Sequence, residues 1–187
     1  SKHLSQERES LMRDLKLITV KIGGTEGVDF SAACEDIATL LREGANLIVV
    51  HGGSAEANAL GEQLGYPPRF ITSPSGFTSR YTDKRTLEIF MMAVNGKVNS
   101  LLVEALQKLG VNALGLSGLD GRLLVATRKE AVQSIEGGKR KIIRDDFTGK
   151  IEAVNALLLK ILLGMGYLPV VAPLAISLQG ETLNVDA

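Results

Sequence analysis

Residues 46–58 read NLIVVHGGSAEAN. Four apolar residues, Leu47 to Val50, run as a β-branched-rich strand into His51, then into Gly52 and Gly53, and a helical pattern opens at Ser54. Any small polar residue could turn the chain at a strand end, so a glycine pair there asks for a reason. The same arrangement occurs upstream. LITVKIGG, residues 17–24, runs from a strand over 17–22 into Gly23 and Gly24, with Lys21 just before them. The two stretches are either two ordinary turns or two walls of one phosphate site.

Working outward, strands and helices alternate. Ser31 can cap a helix whose apolar positions Ala33, Ile37, Leu40 and Leu41 keep helical spacing, closed by Gly44. A second helix is expected from Ser54 to Leu64, with Gly65 as its stop. Residues 66–81, YPPRFITSPSGFTSRY, carry three of the five prolines and read as a loop or hairpin. A long helix is expected from Thr82 to Leu109, with Leu87, Met91, Val94, Val98, Leu101 and Leu102 on one side. VNALGLSG (111–118) is the next strand. RLLVATRK (122–129) with KRKII (139–143) suggests an antiparallel excursion around Gly137 and Gly138. A helix over 152–164, a strand in YLPVVAP (167–173) and a final hairpin or turn in LAISLQGETLNVDA (174–187) complete the set. This alternation predicts an α/β fold, a mainly parallel sheet with helices on both faces. Ligands of such sheets sit beyond the C-terminal strand ends, where both glycine pairs lie.

Composition narrows the function classes. At 187 residues the chain is long enough for one good core, and 45% hydrophobic with 22% charged residues is ordinary for a globular protein. Formal charge balances at zero, so neither nucleic acid nor an anionic membrane is an expected partner. The single cysteine, Cys34, excludes an internal disulfide; it shares a helical face with Ile37 and Leu41 and reads as a buried structural thiol. No apolar run reaches the length of a membrane span, and the polar tract SKHLSQERESLMRDLK (1–16) is no signal peptide. The chain therefore reads as cytoplasmic, with residues 1–16 as a polar extension.

A glycine just past a strand brings backbone N–H groups within reach of an anion, with no Cβ in the way. Successive free N–H groups in such a turn, or at the following helix N-terminus, form a nest for phosphate oxygens. One such turn is weak evidence. Two, on successive strands and with a lysine beside one, point towards phosphoryl transfer. Neither a Walker A motif nor a dinucleotide fingerprint is present, which sets aside the common nucleotide folds.

VKIGG followed by VVHGG, then SGFTSRYTDKRTLEI, GKVN and LNVDA, resembles the amino acid kinase family, in its acetylglutamate kinase branch. Motif order and spacing agree from Leu17 to Ala187. Within that branch, SPSGFTSRYTD and IRDDFTGKIEAVNA look more like the kinases of carrier-linked lysine biosynthesis. The resemblance implies transfer of the ATP γ-phosphate, with Mg²⁺, to the side-chain carboxylate of α-aminoadipate or glutamate. The amino group of that acceptor is held by a small acidic carrier protein, LysW. Ordinary acetylglutamate kinases tend to show a small apolar residue where Tyr81 sits and a third glycine where this chain has Ser54.

A carboxylate acceptor is already ionised at neutral pH and needs no general base. Its kinase must instead relieve repulsion between an anionic nucleophile and an anionic phosphoryl group, by positioning and positive charge. Lys21 is the expected stabiliser of charge on the transferring group. Gly24 and Gly53 are expected to donate backbone N–H bonds from either side, with Gly23 on the nucleotide side and Gly52 on the substrate side. Arg80 fits a bidentate clamp on a substrate carboxylate, a task a planar guanidinium does better than an ammonium. Asn184 matches the asparagine that the family uses on the substrate backbone. His51 reads as structural, its ring steadying the turn. Asp186 sits at the edge of the site, and no metal ligands are expected.

The basic cluster Lys139, Arg140, Lys141 and Arg144 reads as a solvated face, and alternatively as a surface for an acidic carrier. Family members continue past NVDA into a nucleotide-binding half. The resemblance thus makes residues 17–187 the N-terminal acceptor-binding and dimerisation half, inactive without the other. It also implies a homodimer through the long helix after SRYTD, with Phe90 or Met92 exposed on its second face. Two alternatives stay open: an acetylglutamate kinase of arginine biosynthesis, and a non-catalytic binding module.

Overall fold

The computed structural model describes residues 17–24, 30–128, 130–136 and 139–186. Four strands build a parallel sheet: β1 (Leu17–Ile22), β2 (Asn46–His51), β5 (Ala113–Ser117) and β10 (Leu168–Ala172), in the order β1-β2-β10-β5. Every neighbouring pair in it is parallel. The apolar run of β2 is explained by burial on both sides. Leu47 and Val49 face one layer of helices, whereas Ile48 and Val50 face the other.

Helices α1 (Phe30–Arg42) and α3 (Lys84–Lys108) cover the first face. Cys34, Ile37 and Ala38 of α1 meet Val98, Leu102 and Leu106 of α3 over Ile22, Leu47, Val49 and Val170. Cys34 is 1% exposed, the buried thiol that its spacing predicts. Helix α4 (Ala156–Gly164) covers the other face through Leu158, Leu159, Leu162 and Leu163. Helix α2 (Ser54–Gln63) starts where β2 ends and packs with α3 through Ala57, Phe90, Ala93 and Val94. Gly44 (φ 91°) and Gly65 (φ 68°) adopt the left-handed backbone that closes α1 and α2, as expected of both.

Pro173 has no N–H to extend a ladder, and the chain changes sheets there. β11 (Leu174–Ser177) pairs with β12 (Thr182–Asn184) as the expected terminal hairpin, and in parallel with β6 (Leu124–Arg128). β6 in turn pairs antiparallel with β9 (Gly149–Val154), which completes a second, mixed sheet. Residues 66–81 form the hairpin β3 (Phe70–Thr72) and β4 (Thr78–Arg80).

Several sequence expectations need correction. The excursion pairs β7 (Val132–Glu136) with β8 (Lys139–Ile143), not RLLVATRK with KRKII, because β6 is taken by β9 and β11. Gly137 and Gly138 lie outside the described residues, as do residues 1–16. The helix expected over 152–164 starts only at Ala156. Residues 149–154 instead form a strand, and the Asn155 side chain caps the helix by accepting from Leu158 N at 3.2 Å. α1 opens at Phe30 rather than after a Ser31 cap.

The long helix begins at Lys84, because Asp83 caps it by accepting from Thr86 N at 2.8 Å. A π segment over Met92–Val98 interrupts it. A π turn holds more residues than an α turn, which helps keep a stripe at every fourth position, Phe90, Val94, Val98, Leu102 and Leu106, facing inward. Phe90, ahead of that segment, is buried (5% exposed) rather than on the outer face, and Leu101, beyond it, turns out at 47%. Met92 is exposed, as expected. By length and mean hydropathy α3 could cross a membrane, contrary to the expectation that nothing here reaches that length; in this fold its apolar stripe packs in the core.

Candidate active site

The two glycine ends touch. A Cβ on Gly24 would overlap the amide nitrogen of Gly53 and lie 2.7 Å from its Cα, and a Cβ on Gly52 would lie 2.9 Å from Gly24 N. Backbone meets backbone, which explains why glycines occupy both sides. Two hydrogen bonds fix the approach: Gly52 N donates to Ile22 O at 3.0 Å, and Ala55 N donates to Gly24 O at 2.9 Å. Gly53 is the N-cap of α2 and supplies no capping side chain. A Cβ there would meet Val94 Cγ1 at 2.7 Å, so the packing of α3 also requires glycine.

Lys21 lies on β1 opposite Val50, pointing to the sheet face away from its buried neighbour Ile22, and it is exposed. No hydrogen bond or ion pair joins it to the other candidates among the described residues. What it shares with them is the C-terminal end of the sheet.

Arg80 ends the hairpin and reaches the start of α2: its Nη2 lies 3.4 Å from Ser54 O, beside Gly53. Its guanidinium stands over the Phe70 ring at 5.5 Å. Burial draws its pKa below the usual arginine value, from a height at which the group still keeps its proton.

Asn184 is tied in through Thr82. Its Nδ2 lies 3.3 Å from Thr82 Oγ1, which donates to Arg80 O at 3.3 Å. The hub of this region was not singled out from the sequence. Asp146, 2% exposed, accepts from Thr82 N at 3.0 Å through Oδ2, and from Thr148 N at 2.9 Å and the Thr148 hydroxyl through Oδ1. Phe147 N donates to Thr82 O (2.7 Å), and Asn184 N donates to Phe147 O (2.9 Å). The segments SRYTD and RDDFT thus lie side by side, and the Tyr81 hydroxyl bonds Asp145 Oδ2 at 2.5 Å. Burial, then that hydrogen bond, pushes the Tyr81 phenol far up, so it remains a donor. Arg128 braces the same segment from behind, donating to Asp146 O at 2.9 Å and Arg144 O at 2.8 Å. An Asp two residues before a Thr is an Asx-turn signal, and that was the available clue to Asp146.

His51 is fully buried, with Nδ1 2.7 Å from Gly52 O and Nε2 2.9 Å from Asn99 Nδ2. Desolvation lowers its pKa, partly offset by the Gly52 contact, so the ring is neutral at pH 7. The expectation of a structural histidine holds in geometry. Asn99 had no assigned role; a lone amide beside the apolar stripe of α3 was the signal for it.

Abutting glycine ends, a lysine at the strand end and an arginine at the adjoining helix N-terminus are groups whose chemistry suits an anion. The chain belongs to the amino acid kinase family, which matches residues 16–187. It is 54% identical over 175 residues to a LysW-aminoadipate kinase of Deinococcus radiodurans, covering 94% of this chain and 60% of that relative. It is 55% identical over 170 residues to one of Thermus thermophilus, covering 91% and 63%. In fold it is similar to N-acetylglutamate synthase from Neisseria gonorrhoeae (TM-score 0.67, 24% identity, 97% of this chain and 39% of that one). The chain thus spans about three fifths of the length of the curated relatives it matches.

Proposed function

We propose that this chain is the acceptor-binding and dimerisation half of an ATP-dependent kinase. The whole protein transfers the γ-phosphate to the side-chain carboxylate of α-aminoadipate, or glutamate, held on a small acidic LysW-like carrier. The observation that carries this reading is the abutment of Gly24 and Gly53, with Arg80 at the adjoining α2 N-terminus. Identity above 50% to kinases named for LysW-aminoadipate supports the acceptor.

In this reading Lys21 neutralises charge on the transferring phosphoryl group. Gly24 and Gly53 donate backbone N–H bonds to it, with Gly23 and Gly52 shaping the nucleotide and acceptor sides. Arg80 clamps the acceptor carboxylate, and Asn184 binds its backbone. Mg²⁺ arrives with ATP; among the described residues no group of three His, Cys, Asp or Glu side chains is placed to hold a metal. The close approach of Gly24 and Gly53 suits a phosphoryl group, since it brings backbone from both strand ends to one place with no side chain at position 24 between them.

The acidic carrier docks against the exposed basic strand β8 and Arg144, which flank the braced loop carrying Asp146. Two copies pair through the outer face of α3, where Met92 and Leu101 are exposed. The protein works in the cytoplasm, with residues 1–16 as a polar extension.

The test uses the full-length protein with ATP and Mg²⁺, trapping acyl phosphate with hydroxylamine. Carrier-linked aminoadipate, carrier-linked glutamate and free N-acetylglutamate run side by side. A signal restricted to carrier-linked acceptors and lost in Lys21→Ala is expected. A signal with N-acetylglutamate alone would move the protein to arginine biosynthesis, and silence with all three would leave a binding module.

A further inference from the structure

A buried polar relay runs beneath the glycine walls, and its proton positions can be read from one end. Val170 O, on the central strand β10, can only accept. The side-chain nitrogen of Asn99 lies 2.9 Å from it, so that nitrogen is Nδ2 and it donates. The second N–H of the same amide faces His51 Nε2 at 2.9 Å, so Nε2 accepts and carries no proton. The ring proton must then sit on Nδ1, which donates to Gly52 O at 2.7 Å. Room for the relay is made by Gly115, where a Cβ would overlap Asn99 Oδ1 and lie 3.1 Å from Val103 Cγ2. His51 and Asn99 are 0% and 5% exposed, so water does not compete for these bonds.

The relay ends on the carbonyl of the Gly52–Gly53 peptide, a plane that two glycines leave free to rotate. The peptide is trans, since the described backbone holds no cis bonds. In a trans unit the C=O and the following N–H point in opposite directions. Holding Gly52 O inward on His51 therefore turns the Gly53 N–H away from the core. Gly53 N itself lies where a Cβ of Gly24 would stand.

We propose that His51 and Asn99 are positioning residues for phosphoryl transfer, locking the Gly52–Gly53 peptide so that the Gly53 N–H faces the transferring group. The inference rests on the kinase reading above. It assigns the buried histidine to orientation of a backbone donor and gives it no proton to exchange with substrate. A fixed donor of this kind matters at the transition state, where losing one costs about 10²–10³ in kcat.

Two substitutions separate this role from plain core packing, assayed in the full-length enzyme with its carrier-linked acceptor. His51→Asn puts an amide nitrogen close to the place of Nδ1 and keeps a donor for Gly52 O, whereas His51→Gln puts its amide nearer Nε2 and leaves that carbonyl without one. The expected result is kcat about tenfold or more higher for Asn than for Gln, with acceptor and ATP KM within about threefold of each other. Equal kcat values, or a loss appearing in KM, would overturn it. Nitrogen-15 NMR of the ring, in the wild-type protein near pH 7.5, reads the lock without any turnover. A protonated Nδ1 with bare Nε2 is expected, and the opposite tautomer overturns the proposal even in an active enzyme. A wild-type protein silent with every acceptor but showing the Nδ1–H tautomer would sink the kinase reading and, with it, the catalytic role, while leaving the lock itself in place.

Discussion

Gly24 and Gly53 stand backbone against backbone, so close that a single methyl on Gly24 would overlap the Gly53 amide nitrogen. The contact joins the ends of β1 and β2, adjacent strands paired from Leu17↔Asn46 to Ile22↔His51. Parallel pairing in register brings the two ends to the same level. The two glycine pairs are therefore one structure rather than two turns.

Gly24→Ala tests that contact. The added methyl meets backbone, which cannot rotate away, and overpacking of a tight site costs about 1–3 kcal/mol or more. A urea denaturation midpoint well below wild type is expected, together with loss of acyl phosphate formation in the full-length enzyme. An unchanged midpoint with full activity would mean that the two ends stand further apart.

Asp146→Ala removes the acceptor shared by Thr82 N, Thr148 N and the Thr148 hydroxyl. Leaving buried donors unpaired costs about 1–3 kcal/mol. Because Thr82 links Arg80 with Asn184, acceptor KM should rise at least about tenfold while ATP KM stays within about twofold. Parallel changes in both KM values would place Asp146 in general stability alone.

His51 gives stability a direction with pH. Its folded pKa lies below its ordinary value of 6.5, first through desolvation, so the unfolded chain takes up the proton more readily. Its contribution is complete above pH 6.5 and is lost as pH falls from there towards the lower folded value. Melting temperature should drop between pH 7.5 and pH 5.5, and His51→Asn should flatten that drop. An equally steep fall in the variant would assign the effect to other groups.

Cys34 should resist thiol reagents. Burial pushes its thiol up from the ordinary 9.0, so less thiolate forms at a given pH, and the residue is 1% exposed. Ellman's reagent at pH 8 should label it slowly in the native protein and quickly in urea. Rapid native labelling would contradict its place between α1 and the sheet.

Glu56 and Lys97 form an ion pair at 2.5 Å between α2 and α3, with side chains 39% and 59% exposed. Glu56→Gln should change stability by under about 1 kcal/mol, since exposed pairs are screened and entropically costly. A larger loss would show that the pair fixes α2 against α3.

Much of the fold was legible because local pattern suffices for it. Leu47 to Val50 make a strand, Gly44 and Gly65 stop helices, and LAISLQGETLN makes a hairpin, each by forces acting within a few residues. Errors came where a partner far along the chain decides. Residues 152–154 belong to strand β9, paired with β6, instead of starting a helix, Phe90 is buried, and Leu101, beyond the π segment, turns outward. The glycines, Lys21, Arg80 and Asn184 were visible as residue types with a shared chemistry, but the link from Arg80 through Thr82 to Asn184 and Asp146 was not.

The sequence by itself determined the elements, the alternation that makes an α/β sheet, and the two glycine ends with their lysine. Only the tertiary structure decided what those ends touch. Thr82 bonds Asp146 across 64 positions, Asn184 bonds Thr82 across 102, and His51 bonds Asn99 across 48. The physical reason is distance along the chain. Periodicity records the burial that neighbouring residues share, whereas a hydrogen bond between residues tens of positions apart forms only after the strands and helices between them have packed.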